Sequence, residues 1–109
     1  MRGRDERVRL CARDDLEVDT AKRFDVGSHR IAVVRIGDDI YAIGDRCTHA
    51  DYSLAEGELY PDRKEIECWK HGSTFSLVDG QPQSLPAVKA VPVYEVEVED
   101  GDVFVVLAR

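Results

Sequence analysis

The sequence predicts an all-β domain on three observations. Short runs rich in β-branched residues are separated by Gly and Asp turns, and no window long enough for a substantial helix keeps apolar residues at i, i+3, i+4 and i+7. Near the C-terminus an Asp-Gly pair sits between two alternating runs, which is a strong hairpin signal.

The elements follow in chain order. Val8, Leu10 and Ala12 alternate with Arg7, Arg9 and Cys11, the pattern of a half-buried strand. Residues 30–36 are richer in Val and Ile and read as a central strand, which Gly37-Asp38-Asp39 turns into a second run over residues 40–43. Tyr94, Val96 and Val98 alternate with Glu95 and Glu97, and Asp100-Gly101 then leads into residues 103–107. Residues 46–86 are different in kind. They contain two Cys/His clusters, three glycines and only two short strand candidates, Ile66-Glu67-Cys68 and Thr74-Phe75-Ser76, so a loop-rich subdomain is expected on a β scaffold. There is no internal repeat, low-complexity tract or linker, and residues 1–109 are expected to form a single domain.

Composition limits the function. A chain of 109 residues can bury roughly two-thirds of its unfolded surface around one core and has no room for a second catalytic domain. Its formal charge is −7, unevenly placed: residues 1–30 hold 8 basic and 7 acidic groups, whereas residues 31–109 hold 7 and 15. An acidic body argues against a nucleic-acid partner and favours basic-patched ones. The N-terminal residues lack an apolar leader segment and no run of 18 apolar residues occurs, so a soluble, cytoplasmic protein with no membrane partner is expected. Three cysteines do not make a disulfide-stapled secreted fold.

The clusters carry the chemistry. Cys47-Thr48-His49 is followed, after the 18 residues 50–67, by Cys68-Trp69-Lys70-His71-Gly72-Ser73. Thiolate and imidazole serve both structural zinc and iron-sulfur centres, so ligand type alone leaves both open. Mixed zinc sites usually pair Cys with Cys and His with His, whereas here each half supplies one of each. If each loop gives its Cys to one metal and its His to another, the loops clamp a binuclear centre. Cys11 lies in a strand pattern away from both clusters and reads as a structural thiol; His29, beside Gly27-Ser28, reads as a surface residue in a turn.

Cys47-x-His49 with Cys68-x-x-His71-Gly72 resembles the Rieske [2Fe-2S] signature, in which two His replace two Cys on one iron. Phe75, the Asp79-Gly80 turn, Leu85-Pro86-Ala87 and the final hairpin extend the resemblance over nearly the whole chain. It is similar to small soluble Rieske ferredoxins, both those of ring-hydroxylating dioxygenases and those associated with iron-sulfur assembly. The resemblance implies the Rieske fold, an antiparallel β-sandwich with its cluster-binding subdomain at about residues 46–86. It also implies one [2Fe-2S] cluster with Cys47 and Cys68 on one iron and His49 and His71 on the other.

Two ferric ions, two sulfides and two thiolates balance to neutrality when the imidazoles are neutral. The His pair therefore eases reduction and places the potential in a window of roughly −150 to +300 mV. In respiratory-type relatives an extra Cys in each loop forms a bracing disulfide; the matching positions here are Tyr52 and Lys70. Ser73 matches their sulfide-bonding serine, but Phe75 stands where they have a tyrosine, so a potential in the lower half of the window is expected. Metal-bound imidazole loses its outer proton more readily, so the potential should also fall at alkaline pH.

An on-board oxygenase iron would need two further His and a carboxylate, but only His29 is left, and no Gly-x-Gly-x-x-Gly motif supports a reductase. The expected function is one-electron transfer from a ferredoxin reductase to a terminal oxygenase, by a monomer forming transient complexes. The docking surface is expected around His49, His71, Ala50, Tyr52, Trp69, Lys70 and the Leu85-Pro86 loop, with shielding of the cluster as the other role open to Trp69 and Tyr52. Two further readings are a redox-sensing or iron-sulfur-assembly accessory protein, with assembly proteins as partners, and, more remotely, a structural zinc module.

Overall fold

The computed structural model describes residues 6–46, 52–69, 72–83 and 89–107. Nine strands run in the order β1 (Glu6–Ala12), β2 (Thr20–Val26), β3 (His29–Ile36), β4 (Asp39–Gly44), β5 (Leu59–Tyr60), β6 (Glu65–Glu67), β7 (Thr74–Ser76), β8 (Val93–Glu99) and β9 (Asp102–Leu107). The only helical segments among the described residues are 3-10 turns at Arg13–Asp15 and Leu54–Glu56. Six strands form an antiparallel sheet in the order β1-β9-β8-β4-β3-β2, and β5-β6-β7 form a second, smaller one.

The large sheet curls on itself. β4 meets β8 through only two residue pairs, Ala42 with Tyr94 and Ile43 with Val93, and the sheet folds over at this short seam. Inward side chains of the two halves then share one core: Cys11 from β1, Val103, Val105 and Leu107 from β9, and Ile31, Val33 and Ala42 from β3 and β4. The edge strands β1 and β2 carry Arg7, Arg9, Lys22, Arg23 and Asp25, charges that discourage pairing with another chain. The expected Asp100-Gly101 turn closes β8 onto β9 with both residues at positive φ (53° and 79°), as a type I′ turn requires.

β3 is the strand expected to be central, and it is buried on both faces. Residues 31 to 34 have no exposed surface. Ile31 and Val33 face the core just described, whereas Ala32 and Val34 face a second core with Ile43, Leu54, Ile66, Cys68, Phe75, Leu77 and Val91. A strand's alternation thus binds the small sheet to the back of the large one.

Two expectations need correction. Cys11 was expected on the Arg7/Arg9 face of β1, but the pairing slips between Arg9 and Cys11, leaving Leu10 as a bulge; Cys11 comes opposite Val103 and turns inward. Its thiol is a buried free cysteine whose pKa is raised chiefly by that burial. His29 is the first residue of β3, half-buried, with Nδ1 3.2 Å from the Tyr94 hydroxyl and the two rings edge to face. It lines a cleft of about 510 Å³ with Arg30, Arg46, Lys89 and Tyr94.

Candidate metal centre

The described residues that flank the two Cys/His clusters are fixed by the second core. The first loop leaves the sheet after β4 and returns at Tyr52. Its root is closed by a bridge between Arg46 and Ser53. Below the bridge lies Asp45, fully buried: its Oδ1 accepts hydrogen bonds from Ser53 Oγ (2.8 Å) and the Ala55 backbone N–H (2.9 Å), and its backbone carbonyl accepts the Leu54 N–H. Arg23 Nε stands 3.8 Å from Oδ2. The carboxylate thus holds the 3-10 turn at Leu54–Glu56 against the end of β4, and Leu54 packs into the core.

The second loop is a tight reversal between β6 and β7. The Cys68 N–H donates to the Ser73 carbonyl (2.7 Å), and the Gly72 N–H donates back to the Cys68 carbonyl (2.9 Å). Gly72 takes φ 78°, the left-handed conformation that lets the chain turn back so soon. Cys68 and Ser73, at the two ends of the reversal, have no exposed surface. Phe75, also fully buried, lies in the same core as Cys68.

Cys47, His49, Lys70, His71 and Pro86 lie outside the described residues, as do Ala50 and Leu85. The structure brings together the other candidates. Tyr52 packs on the core that holds Cys68, and its ring meets Trp69 edge to face at 5.0 Å between centroids. That contact ties the return of the first loop to the residue after Cys68. Trp69 remains 51% exposed.

Three contributors were not picked out in the sequence: Asp45, Ser53 and Gly57. A Cβ on Gly57 would stand 1.6 Å from the Glu67 carbonyl oxygen, so only glycine lets the turn at Leu54–Glu56 approach β6 this closely. In sequence Asp45 looks like one more acid before a loop, and only the strand register shows it to be buried.

The arrangement suits an inorganic cofactor. Cys68 offers a soft sulfur donor, screened from water, at the root of a closed loop, and the neighbouring loop leaves from the same core. With the sequence placing a thiol and an imidazole in each loop, the donor set fits a mixed-ligand iron-sulfur centre. Residues 6–95 match the family model of the Rieske [2Fe-2S] domain. The chain belongs to that family.

A Rieske domain carries a Rieske-type [2Fe-2S] cluster, and its relatives are redox proteins. Over 99 residues this Rieske chain is 42% identical to "Ferredoxin CarAc" of Metapseudomonas resinovorans, covering 90% of this chain and 91% of that protein. It is 39% identical to the 3-phenylpropionate/cinnamic acid dioxygenase ferredoxin subunit of Escherichia coli, covering 91% and 92%. Among experimental structures, the complex of reduced oxygenase and oxidized ferredoxin in carbazole 1,9a-dioxygenase contains a chain that superposes with a TM-score of 0.85 at 40% identity, covering 94% of this chain and 95% of that one.

Proposed function

We propose that this Rieske domain is the ferredoxin of a dioxygenase-type system, a one-electron carrier that takes an electron from a reductase and delivers it to a terminal non-haem iron oxygenase. The observation that carries this reading is a dioxygenase ferredoxin matched end to end at 40% identity and captured in complex with its oxygenase. The protein is an electron-transfer component, not itself an enzyme. A ferredoxin chain from a carbazole 1,9a-dioxygenase complex and the ferredoxin subunit of a 3-phenylpropionate/cinnamic acid dioxygenase match at 40% and 39% identity, so substrate choice is assigned to the oxygenase.

In this reading Cys47 and Cys68 bind one iron, and His49 and His71 bind the other. The bound cluster gains and loses a single electron. The chain's own residues do the rest. Asp45 and the Arg46–Ser53 bridge fix the first loop, the paired bonds between Cys68, Gly72 and Ser73 fix the second, and Phe75 and Leu54 keep water from the protein side. Half-exposed Trp69, braced by Tyr52, is the described part of the expected docking surface, which is suited to a weak, short-lived complex; Ala50, Lys70, Leu85 and Pro86, expected at the same surface, lie outside the described residues. Ser73, buried at the loop root, is assigned the hydroxyl that would bond a cluster sulfide.

The chain is a single domain in which residues of about 46–86 form the cluster-binding subdomain, and a monomer between transient encounters. It is assigned to the cytoplasm, and among the described residues no helix is long and apolar enough to cross a membrane. The test is an absorption and electron paramagnetic resonance spectrum of freshly purified protein, with iron and sulfide analysis, followed by stopped-flow transfer to a terminal oxygenase purified from the same source. A Rieske-type spectrum and rapid reoxidation by the oxygenase are expected; a colourless protein with one tightly held zinc would refute the reading.

A further inference from the structure

Glu67 precedes Cys68 in sequence but points the other way. On β6, Ile66 and Cys68 face the core, so Glu65 and Glu67 share the outer face. Tyr60 pairs with Glu65, which makes Glu67 its diagonal neighbour on that face. The Tyr60 hydroxyl donates to Glu67 Oε1 at 2.6 Å. The other oxygen, Oε2, lies 3.3 Å from where a Cβ on Gly72 would be, so the carboxylate fills the space beside Gly72 on the outer side of the reversal.

The two acids on this face are treated differently. Glu65 has Arg63 Nε at 3.6 Å. Glu67 has a phenol in place of a cation, and among the described residues no ion pair neutralises it. Arg63 instead stacks over the Tyr60 ring, 4.5 Å from its centroid. The hydrogen bond to Glu67 is the largest influence pushing the Tyr60 pKa up to about 12, so the phenol stays protonated and remains a donor across the working pH range. A hydrogen bond orients a carboxylate without cancelling its charge.

We propose that Tyr60 positions Glu67 as a fixed negative charge beside Gly72, on the outer side of the reversal that begins at Cys68, and that this charge lowers the reduction potential of the cluster. The inference rests on the reading of Cys68 and His71 as ligands. An electron added to the cluster increases its negative charge, and a nearby like charge makes the addition less favourable. Tyr60 and Glu67 are thus positioning and tuning residues that touch neither substrate nor redox partner.

The experiment compares holo wild type with Glu67→Gln, Glu67→Met and Tyr60→Phe by protein-film voltammetry, with spectra and cluster lifetime measured in parallel at neutral pH. Glu67→Gln keeps an acceptor for Tyr60 and removes the charge. Its potential is expected to rise by about threefold in the reduction equilibrium, ~28 mV at 59 mV per tenfold, with an unchanged spectrum. Tyr60→Phe keeps the charge but releases it from the reversal, so its potential should rise by less than that of Glu67→Gln, with an unchanged spectrum. A wild-type potential in every charge-removing variant that retains the cluster would overturn the proposal, as would a rise in Tyr60→Phe equal to that in Glu67→Gln. An unchanged potential in Tyr60→Phe would overturn the positioning role, and loss of the cluster from both Glu67 variants would make the residue structural only, which also overturns the proposal. A wild type lacking the Rieske spectrum would instead refute the ligand reading.

Discussion

Replacing Asp45 by Ala tests whether the first loop is held from below. The carboxylate is fully buried and accepts two hydrogen bonds, from Ser53 Oγ and the Ala55 N–H, with Arg23 Nε 3.8 Å from its second oxygen. Hydrogen bonds to a charged group contribute about 1.5–3 kcal/mol each, and the Ala55 N–H is left part-buried without its acceptor. Relief of the cost of burying the charge offsets part of this, and half-exposed Arg23 adds little, so the net loss is about 3–4 kcal/mol. At about 4 °C per kcal/mol for a domain of this size, the melting midpoint of the holo protein should drop by about 12–16 °C. The assay is circular dichroism at a fixed scan rate with cluster absorbance followed in the same cell, because cluster loss makes unfolding irreversible. Absorbance should fall before the sheet signal, since the loop root loosens first. Asp45→Asn, which keeps an acceptor of the same shape, should cost about 1–2 kcal/mol. A drop under 4 °C in the Ala variant, or coincident loss of cluster and sheet, would refute the reasoning.

Four further outcomes are expected. Gly57→Ala drives a methyl into the Glu67 carbonyl, which no rotamer change can relieve, so it should cost about 3 kcal/mol and lower cluster occupancy, read as the iron-to-protein ratio. Trp69→Ala removes a ring contact with Tyr52 of roughly 0.5–1.5 kcal/mol and should slow electron delivery with the spectrum intact; loss of the spectrum would assign Trp69 to shielding instead. Voltammetry of the wild type should place the potential in the lower half of the Rieske window, and a value above about +150 mV would contradict the contribution assigned to Phe75 and the acidic body. The potential should also fall as pH rises through the alkaline range, because losing an imidazole proton adds negative charge before reduction does; a flat profile from neutral to pH 10 would contradict exposed His ligation.

What could be read in the sequence followed the strength of local patterning. Residues 30–36 announced a central strand because a strand buried on both faces needs apolar residues at consecutive positions, and β3 has four. The Asp100-Gly101 turn was equally legible, and the spacing of the Cys/His pairs pointed to the Rieske family that the match over residues 6–95 shows; both depend on residue types that few other contexts demand. β2 went unseen because an edge strand is stabilised from one side only, and Lys22, Arg23 and Asp25 obscure its alternation. Cys11 was assigned to the wrong face because a bulge leaves no mark in composition, yet one extra residue reverses the parity of everything beyond it. Asp45 and Glu67 escaped notice for a common reason: each acts through a partner in another segment, Ser53 and Ala55 in one case and Tyr60 in the other.

The two-faced burial of β3 bears on the speed of electron exchange. An electron hops readily when the site that receives it rearranges little, and rearrangement is limited by whatever the ligand loops are anchored to. Here both loop roots pack on the outward side of a strand whose inward side is locked into the curled sheet, so a shift of either loop would have to disturb two cores at once. A scaffold anchored in this way would keep reorganisation small, and Val33→Ala, on the inward side of β3, is expected to change the exchange rate through stiffness with the ligand residues unaltered.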